Sequence, residues 1–252
     1  MNSYVAYAWL EAKRQWRSRD ILIFRLGIPV AIYLVLRSTN AGDQDMTTAL
    51  SGLAALPSET ARMLAVAALA SVISGLAAGP ALADERASGW LRQLRVTPLR
   101  PGAAVTAKIA VAMSFALPAI ALVAAAAGIT ERVDLGAVQW VEVVGLMWLA
   151  TTPITAIATL VGLAFATEVA QAAHTLTWVI LWLLGGIFTP LSNMPDAVAA
   201  IGERLPSNAV INVGWATASG DPIPASAIAV LTAWTLGAGG LAALAWRRVI
   251  SR

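Results

Sequence analysis

The sequence predicts an all-α membrane protein with six transmembrane helices, and composition is the first reason. Of the 252 residues, 58% are hydrophobic and only 12% are charged, which is about half the charged fraction of a soluble domain. The mean hydropathy is +0.72. Long apolar runs divide the chain into spans within a single membrane domain, residues 1–252. The six spans are expected at about residues 21–36, 60–83, 107–128, 138–166, 172–188 and 226–246.

An amphipathic connector helix is predicted ahead of the first span, over about residues 2–20. Trp9 and Trp16 are two helical turns apart and fall on one side, whereas Arg14 and Arg17 fall on the other. Tryptophan rings favour the boundary between lipid tails and water, and cations favour the headgroups. This helix is therefore expected to lie along the membrane surface. Arg25, close to the start of the first span, is expected to snorkel back to that surface.

Proline and glycine occur inside several of the predicted spans. The second span contains Gly75, Gly79 and Pro80 near its end, the third contains Pro118, and the fourth has Pro153 in its middle. Such prolines are tolerated in lipid where neighbouring helices satisfy the carbonyls that they leave free. We therefore expect these spans to pack inside a bundle. A short turn at about residues 167–171 is expected before the fifth span.

The polar interval Asp84–Lys108 separates the second and third spans and holds five cations. Periodicity predicts a short amphipathic helix at the membrane surface. Its apolar side is formed by four residues, Ala87, Trp90, Leu91 and Leu94. Pro98 and Pro101 are expected to end it, because proline lacks a backbone donor and clashes with the preceding turn. The alternative is a solvated basic loop.

Lysine and arginine are unevenly distributed between the two sides of this arrangement. Thirteen of them fall in the N-terminal segment, the Asp84–Lys108 interval and the C-terminal tail, and four fall on the opposite side. Cations near span ends mark the cytoplasmic side of a membrane protein. Both termini and the central interval are therefore predicted to be cytoplasmic.

The interval at residues 189–225, between the fifth and sixth spans, is too apolar for a solvated loop. Five prolines break it, Pro190, Pro195, Pro206, Pro222 and Pro224. Non-helical backbone at membrane depth requires protein or a water-filled cavity around it. A re-entrant hairpin of two short helices in the outer leaflet is therefore predicted, one of them over Asp196–Leu205. The alternative is an ordinary outer loop.

Two segments carry a resemblance to a known family. The first holds Glu85-Arg86, Gly89, Leu91, Leu94, Val96-Thr97-Pro98-Leu99 and Lys108. The second holds Gly185-Gly186-Ile187-Phe188, Pro190, Met194-Pro195 and Leu205-Pro206. In this order, within six spans, the chain resembles the membrane subunit of an ABC-2 type ABC transporter, in the branch that includes bacterial drug-export permeases.

The resemblance implies that the central interval is a cytoplasmic coupling helix that docks onto a separate nucleotide-binding ATPase subunit. The implied interface residues are Glu85, Arg86, Gly89, Trp90, Leu91, Leu94, Pro98 and Glu168. The chain has no G-x-x-x-x-G-K-[ST] motif, so ATP and magnesium are expected on the partner and no cofactor on this chain. A second permease chain, as a homodimer in the bacterial cytoplasmic membrane, is also implied.

The cargo is expected to be apolar or amphipathic, such as a drug, a lipid or a lipopeptide. By resemblance, the second and fifth spans face the translocation pathway. The residues expected along it are Leu69, Ile73, Trp178, Leu181, Trp182 and Phe188. The implied outer hairpin residues are Gly185, Gly186, Pro190, Pro195 and Pro206. Lipid contact or helix packing is the alternative role for the pathway residues.

Other classes of membrane protein fit the sequence less well. An ion-coupled secondary transporter is the alternative function, and it needs ionisable groups buried at mid-membrane, whereas Glu142, Glu168 and His174 all fall near span ends. An intramembrane enzyme would need a catalytic constellation, but His174 has no acidic neighbour at helical spacing. The chain has no cysteine, and no metal site or nucleic-acid partner is expected.

Overall fold

All the regular secondary structure in the residues that the computed structural model describes is helical. These are residues 9–10, 12–13, 15–17, 22–39, 56–89, 101–131, 133–187, 189 and 191–251, with backbone only for 101–105 and 249–251. Ten α-helices run in chain order within them, α1 Ile28–Thr39, α2 Ser58–Leu76, α3 Ala78–Ala87, α4 Pro101–Thr130, α5 Ala137–Ala150, α6 Thr152–Ala164, α7 Thr167–Leu183, α8 Asp196–Gly202, α9 Pro206–Ser219 and α10 Ala225–Ser251. A π-helical segment, Ile23–Gly27, precedes α1, and a short 3₁₀ turn, Leu191–Asn193, precedes α8.

Four helical stretches in the described part of the chain are long and apolar enough to cross a membrane. They are Ser58–Ala87, Thr106–Thr130, Ala137–Ala164 and Ala225–Arg248, which match four of the predicted spans. The first and fifth predicted spans correspond to shorter helices, α1 and α7. The fold is therefore a multi-pass helical membrane bundle.

Helix α2 forms the centre of the bundle. Every residue from Thr60 to Val72 on it is buried, and α1, α4, α6, α7 and α9 all contact it. A helix that is buried on all sides must be apolar all round, and α2 achieves this with small residues, mostly alanine, that let its neighbours approach closely. The sequence shows this as an alanine-rich run without an amphipathic period.

Two of the predicted spans are each divided into two helices near a proline. The second divides at Ala77, because Pro80 has no N–H to donate to the Leu76 carbonyl oxygen and its ring clashes with that carbonyl. The fourth, predicted as one helix over 138–166, divides at Thr151, because Pro153 excludes the carbonyl of Leu149 in the same way. The hydroxyl of Thr152 donates to that freed carbonyl oxygen at 2.6 Å. Pro118, in contrast, lies inside the unbroken helix α4.

Helix boundaries differ from the predicted ones at three places. Helix α4 begins at Pro101, which was expected to stop a helix; proline is favoured at the first helical position, where its missing N–H has no partner to lose. Helix α7 begins at Thr167, so the predicted turn at residues 167–171 is wrong. Glu168 is instead in the first helical turn, where the helix dipole stabilises a carboxylate. The predicted helix over Asp196–Leu205 ends earlier, at Gly202.

Helices α3 and α6 cross with their backbones close together at two glycines. A Cβ atom added to Gly162 on α6 would lie 2.4 Å from the carbonyl oxygen of Gly79 on α3. A Cβ atom on Gly79 would lie 2.8 Å from the carbonyl oxygen of Ala158. Small residues permit such backbone contact, and in lipid this packing replaces the hydrophobic effect as the force between helices.

We predict that Gly162→Ala destabilises the protein, because the new methyl group would force the α3 and α6 backbones apart. Overpacking of this kind costs about 1–3 kcal/mol. Gly237→Ala on α10 is the matched control, since a Cβ atom there meets nothing within 4 Å. Thermal unfolding of the purified variants in detergent measures the difference. Equal stability of the two variants would show that the α3–α6 crossing tolerates a wider spacing.

Candidate functional site

The candidate site lies at one end of the bundle, around the last turn of α3. We call this end, which carries Arg25, Glu85 and Lys108, the basic end, and the opposite end, which carries Glu131, the acidic end. The predicted coupling interval begins here, on the last turn of α3, and ends on α4. The contacts of Glu85 and Arg86 decide how this interval is attached.

Glu85 forms a buried ion pair with Lys108. The Glu85 Oε2 atom lies 2.5 Å from the Lys108 Nζ atom, and the two side chains are only 7% and 6% exposed. Two charges removed from water are stable when they compensate each other, and removing one leaves the other at a large cost. The ion pair therefore fixes the end of α3 to the second turn of α4. The sequence placed both residues at the edges of the interval without indicating that they meet.

Arg86 attaches the same turn to the end of α6. Its guanidinium donates to the carbonyl oxygens of Leu163 at 2.5 Å and of Phe165 at 3.2 Å. The last carbonyls of a helix have no intrahelical partner and carry the negative end of the helix dipole, so a cation stabilises them. The Thr167 hydroxyl, at the start of α7, donates to the Ala83 carbonyl oxygen at 3.5 Å and so attaches α7 to this turn as well. One helical turn thus contacts α4, α6 and α7.

The chain turns sharply away from α3 at Gly89. The Ser88 N–H donates to the Asp84 carbonyl oxygen, the Gly89 N–H donates to the Arg86 carbonyl oxygen, and Gly89 has a φ of +74°, a conformation that favours glycine. Helix α3 therefore ends at Ala87. The predicted amphipathic helix was expected to continue past Ala87, whereas α3 ends there; the rest of its predicted apolar side, from Trp90 on, lies outside the described residues.

The predicted interface residues thus fall into two groups. Glu85 and Arg86 are engaged inside the bundle and hold the interval in place, while Glu168 is exposed in the first turn of α7, next to Thr167. Trp90, Leu91, Leu94 and Pro98 lie outside the described residues. The structure therefore places Glu85 and Arg86 at the base of the interval, and their expected contact with an ATPase subunit stays a prediction.

Four of the predicted pathway residues line one apolar groove. The groove has a volume of about 490 Å³ and lies between the first helix, α2 and α7. Its lining is Phe24, Ile28, Ile32, Leu36, Leu69, Ile73, Trp178 and Trp182. The Trp178 and Trp182 rings stack at 5.3 Å between centroids. Leu181 does not line this groove and is buried in the core, and Phe188 lies outside the described residues.

The residues of the first span in this groove were not predicted, although their signal is visible. Phe24, Ile28, Ile32 and Leu36 recur every four residues, the spacing of one helix face. That spacing identifies a common face but not its neighbour. Only the packing of the first helix and of α7 on α2 shows that the face closes a groove.

At the acidic end, three residues gather around Glu131, just after α4. Its carboxylate accepts hydrogen bonds from the Tyr33 hydroxyl and from the Arg62 guanidinium, and Arg37 lies 3.8 Å from it. Tyr33 and Arg62 are buried. This cluster connects α1, α2 and α4, and sequence reasoning missed it because its members are far apart in the chain.

The glycine pair after α7 makes close contacts with the start of α9. A Cβ atom on Gly185 would lie 2.1 Å from the Ser207 hydroxyl oxygen, and the Asn208 amide donates to the Gly185 carbonyl oxygen at 3.3 Å. Gly186 has a φ of +71°. Pro195 precedes α8, and Pro206 is the buried first residue of α9. Pro190 lies outside the described residues.

The ionisable residues considered for ion coupling do not gather in one place. Glu142 is exposed in the second turn of α5, Glu168 is exposed on α7, and His174 is half-buried on α7. Among the described residues, no three His, Asp or Glu side chains are grouped so that they could hold a metal ion.

Comparison with known proteins adds two findings. Residues 2–213 match the family described as ABC-2 type transporter. The chain is also 26% identical, over 212 residues, to YvfS of Bacillus subtilis (strain 168), which its name describes as a transport permease; the match covers 82% of each chain.

We predict that Glu85→Gln destabilises the protein by about 3–5 kcal/mol, because it leaves the Lys108 ammonium buried without its carboxylate. The double variant Glu85→Gln with Lys108→Met should recover most of this loss, since neither charge then remains. Asp84→Asn, an exposed carboxylate on the same turn, is the matched control. Thermal unfolding in detergent provides the double-mutant cycle. Additive losses from the two single changes would show that the ion pair contributes nothing specific.

Proposed function

The chain belongs to the ABC-2 type transporter family and is a membrane transport subunit; from that premise we propose that it exports an apolar or amphipathic cargo, driven by ATP hydrolysis on a separate subunit. The observation that carries the proposal is the attachment of the Asp84–Lys108 interval to three helices through one turn of α3. A surface loop with only a topological role would not need such an attachment.

Energy transfer follows from these contacts. An ATPase subunit that docks on the segment from Trp90 to Pro98, and beside Glu168, would displace the base of the interval as it closes. The Glu85–Lys108 ion pair would pass the displacement to α4, and the Arg86 hydrogen bonds would pass it to α6. A partner can shift a conformational equilibrium only through contacts that differ between the two states, and these contacts link the docking segment to the spans.

The apolar groove between the first helix, α2 and α7 supports the class of cargo. Its lining consists of aliphatic and aromatic side chains, which favour a ligand with a large apolar surface. A charged or strongly polar cargo would lose its hydration here without gaining a partner. A drug-like amphiphile, a lipid or a lipopeptide fits this chemistry. ATP and magnesium belong to the partner, and the transporter would contain a second permease chain, as a homodimer.

The proposed topology has six spans in the bacterial cytoplasmic membrane, with the basic end in the cytoplasm. Thirteen cations against four support this orientation. Helices α8 and α9 would then form the outer re-entrant hairpin. The extensive burial of α9 against the bundle supports this placement, because backbone at membrane depth has to be covered by protein.

We predict that a membrane-impermeant maleimide labels Ser192→Cys in intact cells and labels Ala87→Cys only after the membrane is opened. Both positions are exposed, one at each end of the bundle, and the chain has no cysteine of its own. The reason is the charge asymmetry that orients the spans. Labelling of both residues from outside the cell would contradict the six-span topology.

The proposed function predicts that the tagged chain, purified from its native membrane, retains an ATPase subunit and hydrolyses ATP in lipid nanodiscs. Trp90→Ala should keep the protein in the membrane but weaken this association about 5- to 150-fold, since a buried aromatic anchor contributes about 1–3 kcal/mol. Binding of the ATPase subunit and uptake of rhodamine 6G, as an amphiphilic probe, into inside-out vesicles are the measurements.

Trp234→Ala is the matched control for this experiment. Trp234 is on α10, near α8, and donates to the Arg204 carbonyl oxygen, far along the chain from the docking segment. Its replacement should leave the ATPase association unchanged. Absence of any ATPase from the purified wild-type protein would contradict the proposed function, whereas full association in Trp90→Ala would place the docking contact elsewhere, such as around Glu168.

A further inference from the structure

Arg25 points into the bundle and not back to the membrane surface. It was expected to snorkel, but its side chain is only 7% exposed. It is the central residue of the π-helical segment Ile23–Gly27. Such wide turns are rare and are frequent at functional sites. A buried guanidinium needs partners, because its removal from water is costly.

The π-helical segment has a local cause in the sequence. Pro29 lacks a backbone N–H, and its ring excludes the carbonyl oxygen four residues earlier, which belongs to Arg25. A regular α-helix is therefore unfavourable through this turn. The wider turn resolves the conflict and places Arg25 at the point where the first span meets its neighbours.

One set of Arg25 partners belongs to the connector helix and the third span. Its Nη1 atom donates to the Gln15 Oε1 atom at 3.1 Å, and its Cζ atom lies 4.7 Å from the centre of the Phe115 ring on α4. The same Phe115 ring stacks on Trp16 at 4.6 Å. A planar guanidinium can donate hydrogen bonds in its plane while its face contacts an aromatic ring.

The remaining partner is the break between α2 and α3. The Arg25 Nη2 atom donates to the carbonyl oxygen of Ala77 through a long hydrogen bond of 3.5 Å. Ala77 is the residue at which Pro80 divides the second span. A single side chain thus connects the connector helix, the third span and this break.

We propose that Arg25 is a positioning residue for energy coupling, which ties the connector helix to the Ala77 break so that α3 moves together with the connector helix. The inference rests on the proposed function, since it concerns how a displacement at the basic end reaches the spans. Helix α3 carries Glu85 and Arg86, and its break is the point at which it can change direction relative to α2. Without Arg25, the connector helix and α3 would respond to the ATPase subunit separately.

Spin labels test this in the permease–ATPase complex in nanodiscs, with Lys13→Cys on the connector helix and Ala87→Cys on α3. Both positions are exposed. With the labelled chain diluted into unlabelled chain, so that a dimer carries one labelled pair, the wild type should give one narrow distance without nucleotide and a second narrow distance with magnesium, ATP and vanadate. Arg25→Met should broaden both distributions and lower the transport of rhodamine 6G per ATP hydrolysed about ten-fold, the size of a typical coupling between sites.

Two further variants separate positioning from folding. Arg25→Lys keeps the charge but loses the planar donor geometry, so its broadening should be intermediate. Gln15→Leu leaves Arg25 and the spans in place and removes the acceptor of the Arg25 Nη1 donor, so it should broaden the distance with only a small loss of thermal stability. Arg247→Met, an exposed cation at the same end, is the control and should match the wild type.

The outcomes distinguish the two proposals. Narrow distances and wild-type transport per ATP in Arg25→Met and Gln15→Leu would overturn the positioning role while the exporter function stands. Failure of the wild-type chain to bind an ATPase subunit or to move the probe would overturn the proposed function, and the coupling role with it. In that case the nucleotide-free distance would still show whether Arg25 fixes the connector helix.

Discussion

The buried ion pair between Glu85 and Lys108 is the interaction on which the basic end of the bundle depends. A carboxylate and an ammonium that are both removed from water are stable only together, and their 2.5 Å contact joins α3 to α4. Arg86 extends this connection to the end of α6 by donating to its last carbonyls. The interval between the second and third spans is therefore held at its base by charges whose separation would cost a large free energy.

This anchored turn is attached to helices that are divided in their middle. Pro80 divides the second span at Ala77, and Pro153 divides the fourth at Thr151. Helices α3 and α6, which each follow one of these breaks, cross with their backbones in contact at Gly79 and Gly162. Because α3 packs tightly against α6 and is paired with α4, a displacement at the basic end would move these helices together. The two breaks are the places where the chain can change direction.

Much of the candidate site could be predicted from local patterns, and the rest could not. Leu69, Ile73, Trp178 and Trp182 were expected along one pathway from the family resemblance, and the structure brings these four side chains together in one groove. Leu181 has the same apolar character but faces the core, since a periodic pattern does not say which neighbour covers which face. Glu131 contacts Tyr33 and Arg62, which are 98 and 69 residues away along the chain. Contacts between residues this far apart leave no local pattern in the sequence.

The sequence by itself determined the class of the protein, its helices and its likeness to ABC-2 permeases, because apolar run length, proline and charge asymmetry act locally or on the composition as a whole. Only the tertiary structure decided the partners of the charged residues. Glu85 and Arg86 were expected at an interface with an ATPase subunit, and the structure shows that they hold α4 and α6; Arg25 was expected at the surface and instead reaches Gln15 and Ala77. The physical reason is that a charge in a membrane protein requires compensation wherever it is buried, and its partner is supplied by whichever helix the packing brings beside it.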